Sequence, residues 1–133
     1  MADPFPTQPE QDPATLLDAA TRFHEEGDVV RAEAGYQAIL ARDPRHFTAT
    51  HLLGLLKRQQ AQPEAAVGLL AAALKLNPRS AMAHQNMGLA LLDLERPEEA
   101  LTHFRLALVL RPDDRDAHLI CATALRELGR AAG

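Results

Sequence analysis

Residues 81–114 read AMAHQNMGLALLDLERPEEALTHFRLALVLRPDD, and residues 47–80 read FTATHLLGLLKRQQAQPEAAVGLLAAALKLNPRS. In both segments a long apolar stretch ends at a proline, Pro112 or Pro78, and Pro44 stands another 34 residues upstream. Aligned on these prolines, Ala32, Ala66 and Ala100 share one register. Tyr36, Leu70 and Phe104 share a second, and Ile39, Ala73 and Ala107 a third. Upstream, Gly54 and Gly88 coincide, with Ala20 and Ala122 in the same slot; the slot before it holds Ala19, Leu53, Met87 or Cys121. Small residues recur where two helices approach closely, and large apolar ones where the gap must be filled. A chain with this period stacks helix-turn-helix units rather than enclosing one pocket.

The punctuation between the apolar runs sets the helix boundaries. Asp12-Pro13 reads as an N-cap followed by a first-turn proline, which lacks only an N–H that would be orphaned anyway. The first helix is expected over about 13–26, stopping near Gly27, and the second over about 29–42, capped by Asp28. Asp43-Pro44 ends it, because the residue before proline is driven out of the α region. The pattern returns as helices over about 47–60 and 63–76, then 81–94 and 97–110. Pro63 and Pro97 open second helices, and Glu64, Glu98 and Glu99 suit the positive end of the helix dipole. Ser80 and Asp114 are good N-caps, and His46, in the same slot, is a poorer one. A seventh helix is expected over about 115–128, ending at Gly129, where Gly129-Arg130 resembles the start of another inter-helix turn. Residues 1–12, with Pro4, Pro6 and Pro9, read as a disordered Pro-rich tail, and 13–133 as one domain. Its units fall at about 13–46, 47–80 and 81–114, with an unpaired helix at 115–128. The expected fold is an all-α solenoid, a right-handed superhelix of three helix pairs plus one C-terminal helix.

Composition narrows the function classes. A net charge of −4 and only 4% aromatics give neither the basic face nor the stacking surface that nucleic-acid binding uses. The longest apolar run, Leu69 to Leu74, is far short of a membrane span. The N-terminus has no basic segment followed by an apolar one, so it is not read as a secretory signal. One cysteine excludes an internal disulfide framework. These features are read as those of a soluble cytoplasmic protein without nucleic-acid or membrane partners.

The repeat resembles the tetratricopeptide repeat family across about residues 13–128. Gly54…Ala66…Leu70…Ala73…Pro78 and Gly88…Ala100…Phe104…Ala107…Pro112 carry the likeness, and Ala20…Phe23…Ala32…Tyr36…Ile39…Pro44 carries it more loosely. The family's bulky first-helix slot holds Leu16, Thr50, His84 and His118. Its aromatic slot holds Phe23, Lys57, Leu91 and Leu125, where Lys57 departs from the pattern but can pack its stem while the ammonium reaches water. The stretches HLLGLL at 51–56 and AHQNMGLALL at 83–92 also look like the repeats ahead of the catalytic domain in bacterial proteins similar to O-linked N-acetylglucosamine transferases.

The family binds partners on a concave face lined by the first helix of each pair. Carried over position by position, the resemblance implies a groove of Leu17, Thr21, His24 and Glu25 in the first unit. His51, Leu55, Arg58 and Gln59 follow in the second, and Met82, Gln85, Asn86, Leu89 and Asp93 in the third. Asp116, Leu119, Thr123 and Arg126 follow on the seventh helix. Such a mixed, rather apolar groove suits an extended segment or an amphipathic helix. The carboxylate clamp that some members use is rejected, since its positions hold Leu17, Thr21, Leu52, Met82 and Asn86, and only Asn86 fits.

The implied function is a non-enzymatic protein-interaction scaffold that binds a protein or peptide and needs no cofactor. Two alternatives stand beside it: a substrate-recruiting region of a larger enzyme such as a glycosyltransferase, and a homodimer formed through the seventh helix by Ile120, Cys121 and Leu128. The histidines include no i, i+4 pair on one helix, and His84 with His118 makes a weak metal site, so they are read as packing residues. Cys121 fills the slot of Leu53 and Met87 and is likewise read as packing. No phosphate loop, catalytic triad or paired carboxylates emerge.

Overall fold

The computed structural model describes residues 12–132 as seven α-helices, with no strand among the described residues. They are α1 (Pro13–Glu25), α2 (Val29–Arg42), α3 (Phe47–Gln59), α4 (Pro63–Leu76), α5 (Ala81–Asp93), α6 (Pro97–Leu110) and α7 (Arg115–Ala132). Except for Asp12, the segment read as a tail lies outside the described residues.

Local chemistry explains each boundary. At the start of α2, α3, α5 and α7 the side chains of Asp28, His46, Ser80 and Asp114 accept the backbone N–H three residues on, at 3.0–3.2 Å. His46 therefore caps as well as the oxygen caps do, through Nδ1 at 3.0 Å. Asp12, by contrast, sits at the N-cap of α1 without a side-chain bond. The turns inside the units share one geometry. Asp28, Gln62 and Arg96 donate their N–H groups back to Phe23, Lys57 and Leu91 at 2.8–2.9 Å, closing the helix ends in Schellman fashion. The residue just before each donor is left-handed: Gly27 at φ 83°, Ala61 at 60° and Glu95 at 59°. Only the first of the three is a glycine, so Ala61 and Glu95 each carry a left-handed penalty of roughly 1–2 kcal/mol.

The seventh helix departs from the expectation. It runs through Gly129 to Ala132, because Gly129 takes a right-handed conformation and Arg130 reaches back to Glu127 at 3.3 Å, one turn away. Gly129-Arg130 therefore opens no turn.

Each helix packs on its neighbours in the chain. One buried cluster joins Ala20, Ala32, Tyr36, Leu53 and Leu56; a second joins Leu70, Met87, Leu91, Phe104 and Ala124 among others. The small slot is what lets paired helices close up. A methyl placed on Gly88 would lie 2.3 Å from the Phe104 ring, and one on Gly54 3.0 Å from Leu70. Lys57 also differs from its reading: its ammonium pairs with Glu33 of α2, and both side chains are mostly buried. Among the described residues no helix is long and apolar enough to cross a membrane.

Candidate functional site

The first helices of successive units, α1, α3 and α5, lie side by side and are tied by polar bonds that recur at one spacing. His24 donates Nε2–H to Gln59 Oε1 at 2.6 Å. Asn86 donates to His51 Nε2 at 2.8 Å. Arg58 donates to Asp93 at 2.8 Å. Each pair is separated by 35 residues, one more than the repeat. Six of the side chains assigned to the groove are thus bonded to one another across neighbouring helices.

These bonds fix the histidine tautomers. Gln59 Oε1 can only accept, so His24 carries its proton on Nε2 and its Nδ1 accepts from the Tyr36 hydroxyl at 2.8 Å. Asn86 donates to Nε2 of His51, which places that ring's proton on Nδ1. Burial holds His51 below the ordinary imidazole range, since the charged ring would lose its hydration. The Tyr36 hydroxyl is pushed up to about 12, first by burial and then by the Glu25 carboxylate.

Below this ladder, Thr21, His24, Glu25, Tyr36, Leu52, Leu55 and Gln59 line a hollow of about 350 Å³ between α1, α2 and α3. Leu55 and Leu52 are half-buried walls. Thr21 turns its hydroxyl back to its own helix, to the carbonyls of Leu17 at 2.9 Å and Asp18 at 3.0 Å. Further along the same face Leu17, Gln85 and Leu89 are half-buried, whereas Met82 and Leu119 are exposed at 58% and 67%. Arg126 bonds Thr123 on its own helix at 3.3 Å. No 35-residue bond ties α5 to α7 among the described residues, because the two registers would continue as Gln85 with Ile120 and Leu92 with Glu127, and each pair has one apolar member.

The remaining candidates fall elsewhere. Ile120, Cys121 and Leu128 pack half-buried on the second core cluster; among the described residues the exposed large apolar side chains of α7 are Leu119 and Leu125. His84 does not meet His118. It stacks on His103 of α6, with ring centres 5.3 Å apart, and donates Nε2–H to the Pro78 carbonyl at 2.9 Å. His118 repeats that last bond with Pro112 at 2.8 Å. Among the described residues no three His, Cys, Asp or Glu side chains converge as metal ligands do. Sequence reasoning missed Tyr36 as a groove-lining residue, having read it only as framework. The signal that could have found the ladder is complementary pairing at 35 residues: His with Gln, His with Asn, Arg with Asp.

The tetratricopeptide repeat family matches this chain over residues 51–115 and 86–133. None of the curated proteins compared matches it. Among solved structures, the O-GlcNAc transferase of Thermobaculum terrenum is 33% identical, with a TM-score of 0.83 over 91% of this chain and 23% of that one. The first tetratricopeptide domain of Spaghetti (RPAP3), bound to the HSP90 peptide SRMEEVD, is 19% identical, with a TM-score of 0.86 over 90% of this chain and 95% of that one. The first such domain of human RPAP3 gives the same identity and TM-score over 92% of this chain and 96% of that one. At 19% identity the two RPAP3 structures speak for the fold alone.

Proposed function

The chain belongs to the tetratricopeptide repeat family, and from that premise we propose that it is a non-catalytic scaffold holding a partner's peptide or helix along the face of α1, α3, α5 and α7. The observation that carries this reading is the ladder of bonds 35 residues apart. It fixes the polar side chains of the face in advance, so a ligand need not order them, and preorganisation of this kind raises affinity. Between the ladder's rungs Leu17, Leu52, Leu55 and Leu89 offer apolar anchors.

The ladder also shapes the ligand class. Arg58 is held by Asp93, so this cation of the face is already neutralised. The HSP90 peptide in the Spaghetti structure is acidic towards its end; here an acidic tail would meet Arg58 and Asp93 as a neutral pair. An affinity pull-down with wild type beside the Leu55→Ala/Leu89→Ala variant tests the proposal. Partners held by the wild type should fall by about tenfold or more with the variant, since two apolar anchors are removed. Retention of every partner by a variant with an unchanged helical circular-dichroism spectrum would place binding on another surface.

The identity with the Thermobaculum terrenum enzyme favours a second reading, in which the same face recruits a protein substrate for a transferase domain. The present chain spans less than a quarter of that protein's length. Co-purification of sugar-transferase activity with the tagged protein from its source cells would support this role, and its absence would count against it.

A further inference from the structure

We propose that the hollow between α1, α2 and α3 receives the side chain of an arginine or lysine from the bound segment, with Glu25 as its counter-charge and Leu52 and Leu55 packed along its stem. The inference rests on the groove reading above and adds the charge of the residue taken at this end.

The hollow has the two parts that a long cationic side chain requires. Leu52 and Leu55 form an apolar wall for the methylenes, and an exposed carboxylate stands beside it for the charged head. Of the polar groups lining the hollow, the Tyr36 hydroxyl is bonded to His24 Nδ1, and His24 Nε2 to Gln59. Glu25 is the lining residue that carries a fixed charge, and its field reaches the floor of the hollow, where it helps to push the Tyr36 hydroxyl up to about 12.

Of the cations nearby, Lys57 is engaged by Glu33, Arg58 by Asp93, and Arg31 by Asp28 and the face of Phe23, while Arg22, three residues before Glu25, lines a separate hollow with Ala19, Phe23 and Glu26. Glu25 is also poorly placed for the fold itself. It ends α1, where the negative end of the helix dipole disfavours a carboxylate. A local rule broken beside a hollow marks a site whose compensation comes from elsewhere, here from a bound cation. Asp18, exposed seven residues earlier on the same face of α1, adds a second negative charge to that face.

An array of leucine–serine decapeptides, in which arginine, lysine, norleucine or glutamate is walked through each position, tests the assignment. Wild type should retain the arginine and lysine peptides about fivefold better than the norleucine ones, as a partly exposed ion pair allows. Glu25→Gln should abolish that preference while norleucine peptides bind as before, and Glu25→Lys should shift it towards glutamate. A basic preference that persists in Glu25→Gln, or its absence in wild type, overturns the assignment and leaves the groove reading standing. If no peptide binds any of the three proteins, while their helical spectra agree, the groove reading falls and takes this inference with it.

Discussion

Gly88 sets the distance between α5 and α6. The added methyl of Gly88→Ala would lie 2.3 Å from a Phe104 ring that is itself fully buried, so neither side can yield cheaply. Overpacking of this kind costs roughly 1–3 kcal/mol. Gly68 is the matched control: it lies in the exposed interior of α4 with nothing near its missing Cβ. Gly68→Ala should stabilise by about 0.5–1 kcal/mol, through helix propensity alone. Urea midpoints of the two variants should therefore move in opposite directions, and a shift of the same sign would refute the close-approach role of Gly88. At this scale the small slot was legible, because Gly54 and Gly88 align in the repeat. The left-handed slot was legible only at Gly27. Alanine and glutamate at 61 and 95 signal nothing by residue type, and the Schellman bonds of the backbone hold them there.

The helices are read most clearly as elements and least clearly as partners. Their boundaries follow from caps and prolines, which act within a few residues. Which side chains face each other across helices depends on how the units lean, and that produces the 35-residue offset of the ladder. His24, His51, Arg58, Gln59, Asn86 and Asp93 were legible as residues of one face, but not as each other's partners. The ladder and the His84–His103 stack make a pH dependence. Burial lowers the titration of both His51 and His103, and for His103 the neighbouring His84 adds to it against an opposing effect of Glu99. An unfolded histidine titrates near about 6.5. As the pH falls through that value the unfolded chain gains protons that the folded rings refuse, so stability is full above it and is lost on acidification towards the lowered folded values. Urea midpoints should fall from pH 7.5 to 5.5, and a His51→Gln/His103→Gln variant should show a shallower fall. An equal slope in both proteins would show that other groups carry the effect.

In the whole molecule, order follows from the number of neighbours. Interior helices pack on a helix at either side in the chain, whereas α1 packs mainly on α2 and α7 mainly on α6. In a stack whose stability is a sum of units and nearest-neighbour interfaces, the end helices open first. Amide hydrogen exchange should be fastest in α7, in which Leu119 and Leu125 are exposed, and slowest in α3 to α5, around Leu56, Leu70 and Met87. Uniform protection along the chain would instead indicate one cooperative unit. By itself the sequence determined the repeat, the helices and the slots where helices touch, because periodicity, capping and proline stereochemistry act at fixed short spacing. The tertiary structure alone decided that polar residues of that face bind one another, that α7 continues past Gly129, and that Tyr36 and Glu25 meet at one hollow. The first and the last depend on distances between helices, which only packing sets; the second depends on the conformation of Gly129, a residue type free to turn either way.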